Sequence, residues 1–220
     1  MKEEVVKSLF EKKVVAIIRG FAPETCLRLA EAYVEGGVGF VEVTFGQAAP
    51  ETWKDTAAAI RSIKERFGGD MHVGAGTVLT VEQLDMCEQA GGEYMITPNV
   101  NTAIIRECVR RGLVAMPGAM TPSEVEAAYE AGADVVKIFP AGTLGPGYVK
   151  AVRAPLSHVP LMAVGGVTAE NAAAFVAAGC VGVGVGSNLT NTEWIAAGEY
   201  GRIAAEARRL AEACGVRRSR

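Results

Sequence analysis

Lys137 interrupts an otherwise apolar run at residues 135–139, whose β-branched side chains are typical of a buried strand. Burial lowers the pKa of a lysine because the charged ammonium loses solvation, and a neutral amine near pH 7 can attack a ketone. The structural alternative is a lysine that reaches the end of its strand or pairs with a buried acid. Because lysine is seldom fully buried without a partner, we expect Lys137 to be a catalytic nucleophile.

Glu42 is a second charged residue within an apolar run, at residues 40–44. Burial of a carboxylate costs several kcal/mol unless the group is paired or used, so Glu42 is a candidate acid/base partner for Lys137. A structural ion pair between the two residues is the alternative. Arg19 ends the apolar run 14–18 at the same level, where it could bind a carboxylate or phosphate with two hydrogen bonds, or else cap a helix at the surface.

Glycine-rich turns follow the last two apolar runs of the chain. Gly165 and Gly166 come directly after residues 161–164, and Gly186 and Ser187 come directly after residues 181–185. Glycine also serves ordinary tight turns, but in (β/α)₈ barrels the backbone N–H groups of the loops after strands seven and eight commonly bind phosphate. The two turns therefore indicate a phosphate site.

Eight short β-branched runs, which we predict to be strands, alternate along the chain with longer amphipathic segments. The runs are at residues 14–18, 40–44, 72–75, 94–97, 113–116, 134–139, 161–164 and 181–185. Helical spacing is seen in the segments 25–35, 50–67, 81–89, 103–110, 123–130, 148–154 and 169–178. Strands that are apolar nearly throughout and joined by helices indicate a parallel sheet covered on both faces.

This pattern predicts an α/β fold, a single (β/α)₈ TIM barrel domain over residues 1–220. A first helix at residues 3–11 is expected to close the barrel floor, and a last helix at residues 195–214 ends the fold. The alternative is a doubly wound open sheet. Its usual G-x-G-x-x-G signal is missing after the first strand, where the sequence runs from Arg19 to Pro23 without it.

Composition excludes several classes of function. Half of the 220 residues are hydrophobic, and 22 basic against 25 acidic residues give a net charge of -3, which offers no surface for nucleic acid. No apolar run is long enough to span a membrane, and the acidic N-terminus does not resemble a signal peptide, so we expect a cytoplasmic protein. Five scattered cysteines and two histidines predict neither a disulfide framework nor a metal site.

Seven motifs, in order, resemble the class I aldolases of 2-keto-3-deoxy-6-phosphogluconate and 4-hydroxy-2-oxoglutarate. The resemblance extends from about Val14 to Leu189. Its motifs are Glu42-Val43-Thr44, Gly74-Ala75-Gly76-Thr77-Val78, Thr97-Pro98-Asn99, Met116-Pro117-Gly118, Val136-Lys137-Ile138-Phe139-Pro140, Gly165-Gly166-Val167 and Gly186-Ser187.

The resemblance implies that Lys137 forms a Schiff base with the keto carbon and that Glu42 shuttles protons. It further implies that the substrate pocket is lined by Thr77, Pro98 and Phe139 and that the phosphate is held by Gly165, Gly166, Gly186 and Ser187. A homotrimer that needs neither metal nor organic cofactor is also implied. The expected reaction is cleavage of 2-keto-3-deoxy-6-phosphogluconate to pyruvate and an aldehyde such as glyceraldehyde 3-phosphate, with 4-hydroxy-2-oxoglutarate as a further candidate substrate.

Two positions depart from the gluconate-type pattern. Gly46 stands where many of those members carry an arginine that binds the substrate carboxylate, and Arg19 could substitute for it. Val164 replaces the usual threonine before the glycine pair, which removes a hydroxyl that could select the C4 configuration. Together with Trp53, Val164 makes the chain look closer to the 2-keto-3-deoxy-6-phosphogalactonate aldolases. A phosphate-binding isomerase without covalent capture and a non-catalytic sugar-phosphate binder are more remote alternatives.

Overall fold

The computed structural model of the chain describes residues 2–216. Nine parallel strands form one sheet that curls into a nearly closed barrel, in the order β5-β4-β3-β2-β1-β9-β8-β7-β6. The strands are β1 Val14–Arg19, β2 Phe40–Thr44, β3 His72–Gly76, β4 Tyr94–Ile96, β5 Val114–Met116, β6 Gly118–Ala119, β7 Val136–Ile138, β8 Leu161–Val164 and β9 Gly182–Val185. The barrel architecture is therefore confirmed.

The fifth position of the barrel differs from the expected single strand, because Pro117 divides it in two. Proline has no N–H to donate, so the ladder changes partner there: β5 pairs with β4, and β6 pairs with β7. The Pro117 carbonyl still accepts a 2.8 Å hydrogen bond from the Lys137 N–H. Residues 2–216 therefore contain nine strands where eight were predicted, because β5 and β6 together occupy the fifth position of the barrel.

In the described part of the chain, ten helices surround the sheet, with the first at the barrel floor and the others outside it. They are α1 Lys2–Lys12, α2 Pro23–Glu35, α3 Trp53–Phe67, α4 Val81–Gln89, α5 Thr102–Arg110, α6 Pro122–Glu130, α7 Ala141–Arg153, α8 Ala172–Ala177, α9 Thr192–Ala196 and α10 Tyr200–Ala213, with a 3₁₀ turn at Pro50–Thr52. None of the helices in residues 2–216 is long and apolar enough to cross a membrane.

Two predicted helices are wrong in extent. α7 begins seven residues before the expected 148–154, because an additional helical turn precedes a non-helical break at Gly145 (φ 78°, ψ 163°) and the expected helix follows that break. The last helix, expected at 195–214, is two helices. Gly198 lies between them in a left-handed conformation (φ 72°), which is a common way to end a helix.

The interior has two layers, one inside the barrel and one between barrel and helices. Alternate strand residues point inward, and the inner cluster includes Phe40, Tyr94 and Met162. Val5 and Leu9 of α1 pack on this cluster, which agrees with the expected closure of the barrel floor.

The five cysteines are buried and unpaired, as expected of small hydrophobic residues. Burial raises the pKa of the Cys26, Cys87 and Cys180 thiols to about 12 and that of Cys214 to about 11. The pKa of the Cys108 thiol is also raised by burial.

Candidate active site

A cavity of about 630 Å³ opens at the carboxyl ends of the barrel strands. In a (β/α)₈ barrel this is the end at which active sites form. All eleven residues singled out in the sequence line this one cavity: Arg19, Glu42, Thr77, Pro98, Lys137, Phe139, Val164, Gly165, Gly166, Gly186 and Ser187. They come from seven different strands or the turns that follow them, and the curling of the sheet into a barrel brings them together.

Glu42 lies inside the barrel on β2 and is 2% exposed. Its Oε2 atom is buried without a hydrogen-bond partner among residues 2–216. Gly76 of β3 makes this position possible, since a Cβ there would lie 2.5 Å from Glu42 Oε1. Burial raises the pKa of Glu42, and the charges of Lys137 and Arg19 offset part of that rise. A carboxyl group whose pKa is raised holds a proton more readily than an exposed one, so Glu42 is suited to act as an acid/base group.

Lys137 lies on the inner face of β7 and is 6% exposed. Burial lowers the pKa of its amine, the nearby Glu42 carboxylate raises it in part, and Arg19 lowers it further. The Nζ atom is 4.8 Å from the centre of the Phe139 ring. Because Glu42 Oε2 has no partner in the described chain, the arrangement differs from a saturated structural ion pair.

Arg19 is the last residue of β1 and pairs in register with Thr44 of β2. Its side chain lines the cavity, and its charge acts on the pKa values of both Glu42 and Lys137. A guanidinium at this edge is placed to bind an anionic group of a substrate.

The glycine turn after β8 presents backbone to the cavity. Gly165 and Gly166 both have positive φ, 87° and 74°, which glycine adopts readily. The Gly165 carbonyl accepts a hydrogen bond from the Gly142 N–H at 2.7 Å, and the Gly166 carbonyl accepts one from Asn171 Nδ2 at 3.0 Å. Because these oxygens are engaged with the protein, the turn can offer N–H groups to an anion.

The turn after β9 is arranged in a similar way. The Gly186 carbonyl accepts hydrogen bonds from the N–H groups of Leu189 and Thr190 and from Thr190 Oγ1. Ser187 lines the cavity beside it. Both turns thus direct carbonyl oxygens into the fold, which favours a negatively charged ligand at the rim.

Several lining residues were missed from the sequence. They are Ile17, Phe21, Val167, Gly184, Thr190, Asn191 and Thr192. Asn191 caps α9 by accepting a hydrogen bond from the Trp194 N–H at 3.0 Å. An asparagine followed by a helical segment is a helix-start signal, and it could have placed this helix at the cavity.

The two histidines lie outside the cavity, and each contacts other side chains of the fold. His72 Nδ1 is 3.1 Å from Glu93 Oε1, and the His158 ring packs edge-on against Tyr129. Within residues 2–216 there is no cluster of three or more histidine, cysteine or acidic side chains arranged to hold a metal ion.

Comparison with known proteins places the chain in a family. The aldolase family model described as KDPG and KHG aldolase matches residues 5–206. The chain is 40% identical over 177 residues to the 2-dehydro-3-deoxy-6-phosphogalactonate aldolase of Escherichia coli K12, covering 80% of this chain and 83% of that relative. It is 32% identical over 213 residues to the 2-dehydro-3-deoxy-phosphogluconate aldolase of Treponema pallidum, covering 96% and 98%.

A solved structure described as native KDPGal matches the fold with a TM-score of 0.81 and 36% identity, covering 91% of this chain and 93% of that one. The family expected from the seven motifs is thereby confirmed. The chain belongs to the KDPG and KHG aldolase family, whose named relatives are lyases.

Proposed function

We propose that this protein is a Schiff-base aldolase that cleaves a phosphorylated 2-keto-3-deoxy sugar acid to pyruvate and glyceraldehyde 3-phosphate. The observation that carries the proposal is the burial of an amine and a carboxyl group in one cavity. Burial destabilises the charged forms of both groups, which lowers the pKa of Lys137 and raises that of Glu42 and so favours proton exchange by each.

Bond formation begins at the Lys137 amine. Neutral Nζ attacks the C2 carbonyl carbon, and Glu42 donates and removes the protons needed to form the carbinolamine and expel water. The resulting iminium draws electrons from C3. The C3–C4 bond then breaks as the C4 hydroxyl gives its proton to Glu42, which releases the aldehyde and leaves an enamine. Protonation at C3 and hydrolysis of the iminium release pyruvate and restore the Lys137 amine.

The remaining cavity residues fit the two ends of such a substrate. Arg19 is the proposed partner of the carboxylate, in place of the arginine that Gly46 does not supply. The turns at Gly165, Gly166, Gly186 and Ser187 are the proposed phosphate site, since their carbonyl oxygens are engaged elsewhere. Thr77, Pro98 and Phe139 form the proposed walls around the keto acid.

Between the two C4 epimers, we propose the galactonate form as the better substrate. Val164 is 3% exposed, lies at the end of β8 and lines the cavity, so a methyl group is presented where a threonine would present a hydroxyl. The relative that is 40% identical bears the galactonate name. The gluconate form is the second candidate, because the relative of that name matches 96% of the chain.

The covalent step is tested with pyruvate and sodium borohydride, followed by intact mass and peptide mapping. We expect an irreversible pyruvate adduct on Lys137 and none in a Lys137→Met variant that retains its fold. No adduct on folded wild-type protein would overturn the proposal and favour the proton-transfer or binding-only alternatives.

The epimer is tested by measuring kcat/KM for both six-carbon substrates and for 4-hydroxy-2-oxoglutarate. Val164→Thr should shift the ratio of the two epimers toward the gluconate form by about tenfold, the usual effect of one hydrogen bond to a substrate hydroxyl. An unchanged ratio would contradict the role of Val164.

We also propose a homotrimer, on the basis of the family resemblance. Met120 and Tyr129 leave apolar surface exposed near α6, 48% and 38% respectively, which is consistent with a protein partner. Light scattering coupled to size-exclusion chromatography measures the mass directly. A monomer at micromolar concentration would contradict the proposal.

A further inference from the structure

Thr77 has a backbone conformation that its residue type disfavours. Its φ is 56°, in the left-handed region, and a β-branched residue rarely adopts such a value without support from its surroundings. Thr77 follows β3 directly and lines the cavity with Glu42 and Lys137. The contacts that hold this turn therefore also determine the shape of the cavity wall.

Two glutamine side chains supply such contacts. Gln47 Nε2 donates to the Thr77 carbonyl at 2.7 Å and to the Phe45 carbonyl at 3.3 Å. Gln83 Nε2 donates to Gln47 Oε1 at 3.1 Å. Gln83 is fully buried in the first turn of α4, so the turn at Thr77 is connected through two amides to a helix terminus.

The orientation of both amides follows from the backbone. Gln83 Oε1 accepts hydrogen bonds from the N–H groups of Leu79 and Thr80, at 2.7 and 3.2 Å, so the oxygen must face them. The amide nitrogen of Gln83 then faces Gln47, which must turn its own oxygen toward it. This leaves the Gln47 nitrogen to donate to Thr77, and each group in the chain of hydrogen bonds has one consistent role.

The capping box of α6 shows that a glutamine is not needed for capping alone. There Glu124 Oε2 accepts hydrogen bonds from the N–H groups of Met120 and Thr121, both at 2.8 Å. A carboxylate therefore satisfies the helix terminus. Gln83 adds a donor that a carboxylate lacks, and that donor is used on Gln47.

We propose that Gln47 and Gln83 are positioning residues that hold Thr77 in its left-handed conformation at the cavity wall. The proposal rests on the proposed function, because it assigns the two residues to the binding of the keto acid. Neither glutamine lines the cavity, so both act through Thr77.

The test uses full-length protein and the neutral substitution Gln47→Met, which removes the amide without adding charge. The pyruvate concentration that gives half-maximal borohydride labelling of Lys137 should rise about tenfold, with the maximal labelling rate changed less than twofold. Gln89→Met, at the exposed end of α4, is the matched control and should leave both values unchanged.

A double-mutant cycle tests whether the two glutamines act in series. Gln83→Met should raise the half-maximal concentration by a similar factor, and the double variant should be no worse than Gln83→Met alone. Melting temperatures are measured alongside, since Gln83→Met also weakens the cap. A change in melting temperature with an unchanged pyruvate dependence in all three variants would overturn the proposal.

Amide hydrogen exchange at Val78, whose N–H donates to the Ile96 carbonyl at 3.3 Å, provides a readout that needs no reaction. Exchange should be at least tenfold faster in Gln47→Met than in wild type, and unchanged in Gln89→Met. If exchange is faster in Gln47→Met but wild type forms no pyruvate adduct, the proposed function is overturned and the positioning role is retained. Equal exchange rates would overturn the positioning role itself.

Discussion

The floor of the cavity and its rim are built from different chemical groups. This cavity floor is distinct from the barrel floor that α1 closes. The floor, Glu42 and Lys137, consists of ionisable side chains whose pKa values are shifted by burial. The rim, Gly165, Gly166 and Gly186, consists of backbone that approaches the cavity because side chains are missing. The chemistry of the floor therefore depends on the ionisable groups of two side chains. The binding surface of the rim depends on the absence of side chains at three glycines. Substitutions should damage the two regions in distinguishable ways.

Glu42→Gln should produce the largest effect, because it removes the acid/base group while retaining size and shape. We expect kcat for cleavage to fall by about 10²–10⁴-fold, the usual contribution of general acid–base catalysis, with KM changed little. Steady-state kinetics on the phosphorylated substrate measures both constants. A change confined to KM would show that the floor binds substrate without moving protons.

Gly166→Ala should damage binding at the rim. An added Cβ would meet Gly142 Cα at 3.1 Å in a residue with φ of 74°, so the turn must shift. KM for the phosphorylated substrate should rise roughly tenfold or more, the cost of losing one or two hydrogen bonds to a charged group. Borohydride labelling by pyruvate, which has no phosphate, should be unaffected.

Gly112→Ala is the matched control for that substitution. Gly112 has a similar φ of 75° and nothing within 4 Å of the added Cβ, so it imposes the same backbone cost away from the cavity. It should lower the melting temperature without changing KM. Equal KM values for both glycine variants and wild type would place the phosphate elsewhere.

The pH dependence of adduct formation should link the two floor residues. Because burial lowers the pKa of Lys137, the labelling rate should rise with pH with a midpoint below the ordinary lysine pKa of 10.5. The Glu42 carboxylate raises the pKa of Lys137, so Glu42→Gln should move the midpoint to lower pH. Cyanoborohydride trapping across a pH series measures both profiles, and a midpoint that moves upward would contradict the coupling.

Lys137→Met should give the smallest effect, a gain in stability. The amine has a lower pKa in the folded protein than in the unfolded chain, so this group weakens folding at pH 7 and the penalty disappears as pH rises toward 10.5. Removing it should stabilise the fold by about 1 kcal/mol, or a few degrees in melting temperature, because Glu42 can bind a proton and become neutral once the amine is gone. Thermal melts at several pH values measure this difference. If wild type and Lys137→Met are equally stable at pH 7, burial of the Lys137 amine does not destabilise the fold.

Much of the fold and of the candidate site could be predicted from the sequence because both leave local signals. Parallel strands covered on both faces appear as apolar runs, so Lys137 and Glu42 are conspicuous within them. Because the carboxyl ends of all barrel strands lie at one face, these residues are expected to lie close to the glycine turns.

Other features could not be predicted because their causes are not local. The extra helical turn at the start of α7 precedes the break at Gly145 and packs through Gly142 against the Gly165–Gly166 turn, a contact between residues more than 20 positions apart. The connection between Gln47 and Gln83 joins side chains 36 positions apart and depends on β2 and β3 being neighbours in the sheet. Gly76 and Glu42 are likewise complementary only once β2 and β3 pair.

The burial of the five cysteines has a practical consequence for labelling chemistry. Thiols with pKa values near 11 to 12, such as Cys26 and Cys214, hold only about one thiolate in 10⁴ or fewer at pH 7, and the thiolate is the reactive form. Maleimides and iodoacetamide should therefore leave the folded wild type unmodified. A single cysteine placed on the exposed surface would be labelled selectively, so a fluorophore could be attached to this barrel without first removing its native thiols.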